Sequence, residues 1–214
     1  MSCCCPHSNS ANRIFSFFAR RYRKRFENKG FEPSQQQLIE GLTRAGFQGA
    51  SILEIGSGVG HLHQSLLEKG AASAVGVDLA SRMIDEAKQW SADRNLDDRT
   101  SYIEGDFMEI SGCIEPADIT ILDKVVCCYP DADGLVHASL QKTGHVYALT
   151  YPRNRWYIRA VMGFSAMLMK VLRSDFRSYV HDPELVEQWI TSAGFSKHYQ
   201  DQKLVWLTQV YVKT

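Results

Sequence analysis

Three acidic residues and a glycine turn carry the chemistry that the chain displays first. Glu54-Ile55-Gly56-Ser57-Gly58-Val59-Gly60 sets a carboxylate ahead of three glycines, and Asp78 and Asp106 each follow a short apolar run. Glycine accepts positive φ and lets the backbone come close to a ligand. A helix starting straight after such a turn offers free N–H groups and a partial positive charge. A carboxylate at 78 can accept both hydroxyls of a ribose, and one at 106 suits an adenine amino group. An adenosine-bearing ligand fits all three. A second set, Cys128, Tyr129, Tyr22 and His181, has side chains able to exchange a proton with an acceptor.

The glycine spacing bears on which ligand this is. A dinucleotide fingerprint needs G-x-G-x-x-G, with the pyrophosphate on the helix N-terminus. Here the third glycine comes one residue early. Glu54 would also repel a pyrophosphate, whereas it suits an ammonium group. S-adenosylmethionine has an ammonium, a sulfonium and no phosphate.

The elements that must position these residues alternate. Short apolar strands are expected at 51–55, 74–77, 100–104, 118–126 and 145–150, with helices at 61–69, 82–94 and 135–140 between them. That order implies an α/β, Rossmann-like, doubly wound sheet with all strand C-termini along one ligand-binding edge. A helix at 182–193 and strands at 195–200 and 204–212, turning near Asp201-Gln202, add an antiparallel C-terminal hairpin and make seven strands. Ahead of the sheet, residues 13–28 read as an amphipathic helix with Phe15, Phe18, Tyr22 and Phe26 on one face. Residues 13–29 hold seven basic side chains against Glu27 alone, so this helix reads as a lid offering Arg20, Arg21, Arg23 or Arg25 to an anionic substrate. A second helix follows at 34–45. The divisions expected are a mobile Cys-rich arm at 1–12, a helical lid at 13–45, and a catalytic domain at 46–214 with an apolar insertion at 152–181.

The insertion contains Met162, Met167 and Met169 within an apolar run at 156–172. It is too interrupted for a membrane span. It reads as the wall of a hydrophobic pocket or as a peripheral membrane contact.

Lys+Arg and Asp+Glu both number 24 in 214 residues, so the overall basic field of a nucleic-acid binder is absent. No nucleic-acid partner is expected. Cysteines at 3, 4, 5, 113, 127 and 128 do not form a disulfide framework, and the opening MSCCCPHS lacks the apolar core of a secretory signal. The expectation is a cytoplasmic protein with reduced thiols. No C-x-x-C pair marks a metal site.

ILEIGSGVG, VGVDLA, GDF and ITILDKVV, in this order, resemble the motifs of class I S-adenosylmethionine-dependent methyltransferases. The resemblance covers about residues 34–150. It implies that Glu54, Gly56, Ser57, Gly58 and Gly60 hold the methionine part and that Asp78 and Leu79 meet the ribose. Met83 would pack on adenine, Asp106 and Phe107 would border its amino edge, and Val125 and Cys127 would lie near the sulfonium. VVCCYPD and SYVHDPELVEQWITSAGF are similar to the magnesium-protoporphyrin O-methyltransferase group, whose members carry a histidine where this chain has Cys128. The activity implied is methyl transfer to a small, hydrophobic, anionic molecule. The alternatives are a catalytically silent S-adenosylmethionine-binding module and a nicotinamide-dependent oxidoreductase.

Overall fold

The computed structural model describes residues 6–171 and 177–214. Seven strands form one sheet in the order β3-β2-β1-β4-β5-β7-β6. They are β1 (Ser51–Ile55), β2 (Ser73–Asp78), β3 (Thr100–Glu104), β4 (Ala117–Asp123), β5 (Thr143–Pro152), β6 (Phe195–Gln202) and β7 (Trp206–Lys213). The first five are mutually parallel, while β7 runs antiparallel to both β5 and β6. This is the mostly parallel Rossmann-like sheet with a C-terminal hairpin that the alternation predicts.

Strand periodicity divides the core between the two faces. Leu53, Ile55, Leu122, Tyr147 and Leu149 join one buried cluster, and their neighbours Ile52, Ile121, Val146 and Ala148 join the other. Successive side chains of a strand point to opposite faces, so a strand covered on both sides is apolar throughout. The first cluster takes in Leu135 and Val136 of α6 (Ala132–Leu140) and Val186 and Ile190 of α8 (Pro183–Ser192). The second takes in Leu38 and Leu42 of α2 (Pro33–Ala45) and Leu62 and Leu66 of α3 (His61–Glu68).

The N-terminal helix α1 (Pro6–Lys29) begins seven residues before the expected start. Residues 6–12, expected in a mobile arm, thus continue the helix, and Ser16 Oγ donates to Asn12 Oδ1 at 2.9 Å. Cys3, Cys4 and Cys5 lie outside the described residues. Phe15 and Phe26 pack against a cluster of Ala19, Val59, Ala80, Met83 and Trp90. That seats α1 across α4 (Ser81–Asp93) and the glycine turn.

Three boundaries shift for local reasons. β4 stops at Asp123 because Lys124 adopts φ +62° and the chain then makes a 3-10 turn, Val126–Cys128. β5 extends to Pro152 because β7 pairs with it that far. The hairpin turn falls at 203–205, after the expected Asp201-Gln202, because β6 pairs with β7 as far as Gln202.

Candidate functional site

The strand order reverses between β1 and β4, each of which has its chain neighbour on the opposite side. A crevice opens at such a switch point, at the strand C-termini. The cavity found there is lined by the ends of β1, β2 and β4 and roofed by α1.

Gly56 and Ser57 both donate their N–H to Val77 O, at 2.7 and 3.0 Å. Gly56 has φ +67°, and a Cβ there would stand 2.4 Å from Val125 Cγ2, so only glycine fits. Gly58, at φ +54°, has open space where a Cβ would point. Its N–H donates to Asp78 Oδ2 at 2.8 Å, and Ala80 N–H donates to Asp78 Oδ1 at 2.8 Å. Asp78 therefore ties the turn after β1 to the turn after β2. Burial pushes its carboxyl up to about 6 despite these two donors. Gly56, Ser57 and Gly58 of the glycine turn line the cavity with Glu54, Asp78, Leu79, Met83, Phe107 and Val125.

Glu54 is buried, and Oε2 accepts from His63 N–H at 3.2 Å and meets His63 Nδ1 at 2.6 Å. His63 Nε2 lies 3.0 Å from Tyr102 Oη, which also accepts from Gln64 Nε2 at 2.8 Å. One oxygen of Glu54 thus holds the start of α3.

Tyr22, Cys128 and Tyr129 also line the cavity. Tyr129 donates its phenol to Asp106 Oδ1 at 2.7 Å, and burial pushes its pKa far up. It is a firmly protonated donor in this arrangement.

Four expected site residues do not line the cavity. Gly60 is the left-handed residue ahead of α3, where a Cβ would come within 2.9 Å of Gln64 Nε2. Asp106 caps α5 (Phe107–Ile110) by accepting from Met108 N–H at 3.1 Å, besides receiving Tyr129. Cys127 is buried, with Sγ 3.3 Å from Lys124 O; its hydrogen bond with Cys128 and its burial push the thiol up. His181 Nε2 lies 3.1 Å from both Val126 O and Tyr129 O, so the imidazole pins the 126–129 turn. Burial lowers its pKa.

The cavity also holds residues that the sequence reading passed over: Glu32, Gln35, His61, Asp123 and Lys124. Gln35 Nε2 donates to Asp123 Oδ2 at 2.8 Å and lies 2.8 Å from His61 Nε2. An amide NH₂ only donates, so His61 Nε2 is the acceptor and its proton sits on Nδ1. Burial pushes His61 down to about 4, which keeps it neutral near pH 7. His61 Nδ1 and Asp123 Oδ1 are buried without a protein partner. Glu32 bridges Arg25 Nη1 and Lys124 Nζ, each at 2.5 Å, and the Asp123 carboxyl lines the same end. Of the lid arginines, Arg25 alone lines the cavity; Arg20 pairs with Glu86 and Arg23 with Asp93 on α4.

A glycine turn, an acidic residue ending the neighbouring strand and an apolar wall, on a sheet with a reversed β7, define the Rossmann-like methyltransferase architecture. Residues 52–142 match the family described as Methyltransferase domain. The ubiquinone biosynthesis O-methyltransferase of Pseudomonas paraeruginosa is 27% identical over 163 residues, which is 71% of this chain and 66% of that protein. The chain thus spans just under two thirds of that relative. Magnesium protoporphyrin IX methyltransferase from Synechocystis, solved with S-adenosylmethionine bound, superposes over 100% of both chains with a TM-score of 0.72 at 14% identity. A TehB-like S-adenosylmethionine-dependent methyltransferase from Corynebacterium glutamicum covers 94% of this chain and 99% of its own, with a TM-score of 0.64 at 16% identity. The chain shares the fold of these methyltransferases, and residues 52–142 carry the match to the methyltransferase domain.

Proposed function

We propose that the protein transfers the methyl group of S-adenosylmethionine to an acidic oxygen of a small, largely apolar molecule. The observation that carries this reading is the joint between Gly58 and Asp78 inside a cavity with an apolar wall. Asp78 offers a carboxylate for ribose hydroxyls. Gly58 leaves space for close backbone approach, and Leu79, Met83 and Phe107 supply a flat apolar bed for a purine. The residues present therefore fit this cofactor, which supplies an electrophilic methyl group on a sulfonium.

At the other end Arg25 and Lys124 do the work. Their charges favour the ionised form of an acidic oxygen and hold it in place. An acceptor that arrives as an anion needs no strong base, in keeping with a Tyr129 that stays protonated. The apolar wall and α1 exclude water, and alignment supplies much of the rate. The O-methyltransferase name of the Pseudomonas relative supports an oxygen acceptor.

The test is a thermal-shift titration with S-adenosylmethionine, S-adenosylhomocysteine and NAD, followed by an S-adenosylhomocysteine-release screen of phenols and carboxylic acids. The melting temperature must rise with the two adenosyl ligands by mass action. A rise with NAD alone would sink the reading, and binding without turnover of any acceptor would return the chain to a silent cofactor-binding module.

A further inference from the structure

The helix α7 (Trp156–Val171) was expected to wall the substrate pocket, yet none of its described residues lines the cavity. Its inward face is held by Ile158, 3% exposed. Outward, Trp156 is 81% exposed, Val161 66%, Phe164 71% and Met167 67%, and Leu204 in the β6–β7 turn is 74% exposed. These are five of the eight exposed large hydrophobic side chains among the described residues, so they form a concentration and not scatter. Positions 156, 160, 164 and 167 share one helical face. The helix and the turn are one surface: Tyr157 Oη donates to Leu204 O at 3.0 Å, and Arg153 N–H to Val205 O at 2.8 Å.

The charged residues of the helix and its approach have one sign. Arg153, Arg155, Arg159 and Lys203 flank this surface, and no Asp or Glu occurs between Pro152 and Leu172. We infer that α7 and the Lys203–Leu204 turn dock in the plane of an anionic phospholipid surface, with Trp156, Phe164, Met167 and Leu204 entering the headgroup boundary. An exposed apolar helix face bordered by cations and carrying a tryptophan is the composition of an in-plane interfacial helix. No helix among the described residues is long and apolar enough to cross a membrane, which leaves the in-plane orientation. A second copy fits less well, because a two-fold contact sets each patch against itself and brings these cations together.

The placement connects the docked face to the cavity. Both lie at the C-terminal edge of the sheet: α7 follows the end of β5, and Trp206 pairs with Pro152 there. Lys124 Nζ, in the cavity lining, sits 5.2 Å from the centroid of the Trp206 ring. An apolar acceptor dissolved in the bilayer would thereby meet the enzyme on its cavity side. The docking itself does not depend on the methyl-transfer reading.

The experiment is vesicle flotation of the full chain with two compositions: phosphatidylcholine alone, and phosphatidylcholine with about one-third phosphatidylglycerol. The expected result is co-flotation with the anionic vesicles only, weakened by raised salt. Replacing Arg155 and Arg159 with Gln should weaken binding about fivefold per charge. Trp156→Ser with Phe164→Ser should abolish it, with melting temperature and S-adenosylhomocysteine affinity unchanged. No flotation with either vesicle, or flotation that the serine variant retains, overturns the proposal. So does a dimer in light scattering that the serine variant dissolves, since a second copy then covers the face.

Discussion

At one end of the cavity, Glu54, Gly56, Gly58 and Asp78 come from two adjacent strand ends between residues 54 and 78. At the other, Tyr22 and Arg25 come from α1, Glu32 and Gln35 from the start of α2, His61 from α3, and Asp123 and Lys124 from the end of β4. The first end is two consecutive strand-to-helix turns, fixed by hydrogen bonds that stay within them. The second is assembled across the fold by Gln35 and Glu32, which join segments otherwise far apart in the chain. The contrast suggests separate duties: a cofactor end whose geometry comes with the local turn, and an acceptor end whose geometry depends on how α1 and α2 dock.

That division can be broken by substitution. Asp78→Ala removes the acceptor of two hydroxyl hydrogen bonds to a charged group, each worth ~1.5 kcal/mol. S-adenosylhomocysteine affinity measured by calorimetry should fall about a hundredfold or more. Gly56→Ala meets Val125 and a left-handed backbone, so the melting curve should show a loss of about 2 kcal/mol. Gln35→Leu strips the donor from His61 Nε2 and Asp123 Oδ2. About 1–2 kcal/mol should be lost from acceptor turnover, while adenosyl-ligand affinity moves by no more than about twofold. Equal losses in both measurements would erase the distinction between the two ends.

Acidification should sharpen the comparison. The Asp78 carboxyl is raised from 3.8 to about 6 in the ligand-free protein, so between these two pH values it is protonated when folded and ionised in the unfolded chain. Its contribution to stability is therefore present in full below about pH 3.8 and lost as pH rises through about 6. Ligand binding runs the other way, because ribose hydroxyls need the ionised acceptor. Between pH 7 and 5 the affinity for S-adenosylhomocysteine should fall about tenfold, and Asp78→Asn should flatten that profile. The smallest effect is expected at Arg25→Met. Its pairing with Glu32 is partly exposed, so stability should change by less than about 1 kcal/mol while KM for an anionic acceptor rises a few-fold.

The glycine turn and Asp78 stood out in the sequence because each sits at a fixed offset from a strand end, and the structure brings them together in one cavity. Strand periodicity likewise revealed the sheet, since buried parallel strands are apolar on both faces. The acceptor end was not readable for the opposite reason. Nothing local to Gln35 says that it will reach Asp123, 88 positions away. Asp123 itself was hidden inside a strand expected to run to 126, because the left-handed Lys124 leaves no mark in a residue type that seldom adopts that conformation. Asp106 shows the converse case: an acidic residue after a strand caps the next helix and accepts from a cavity tyrosine, Tyr129.

The position of β7 has a consequence for how the chain is made. β6 is hydrogen-bonded to the sheet only through β7, and β7 lies between β5 and β6. During synthesis β6 leaves the ribosome before the strand that must bridge it to the rest, so the sheet cannot close until residues 206–213 are available. Five strands can assemble as they emerge, but β5 keeps an open apolar edge until β7 emerges. A ribosome-stalled chain lacking those eight residues should hold its adenosyl-side turns in place and still expose a sticky edge to chaperones.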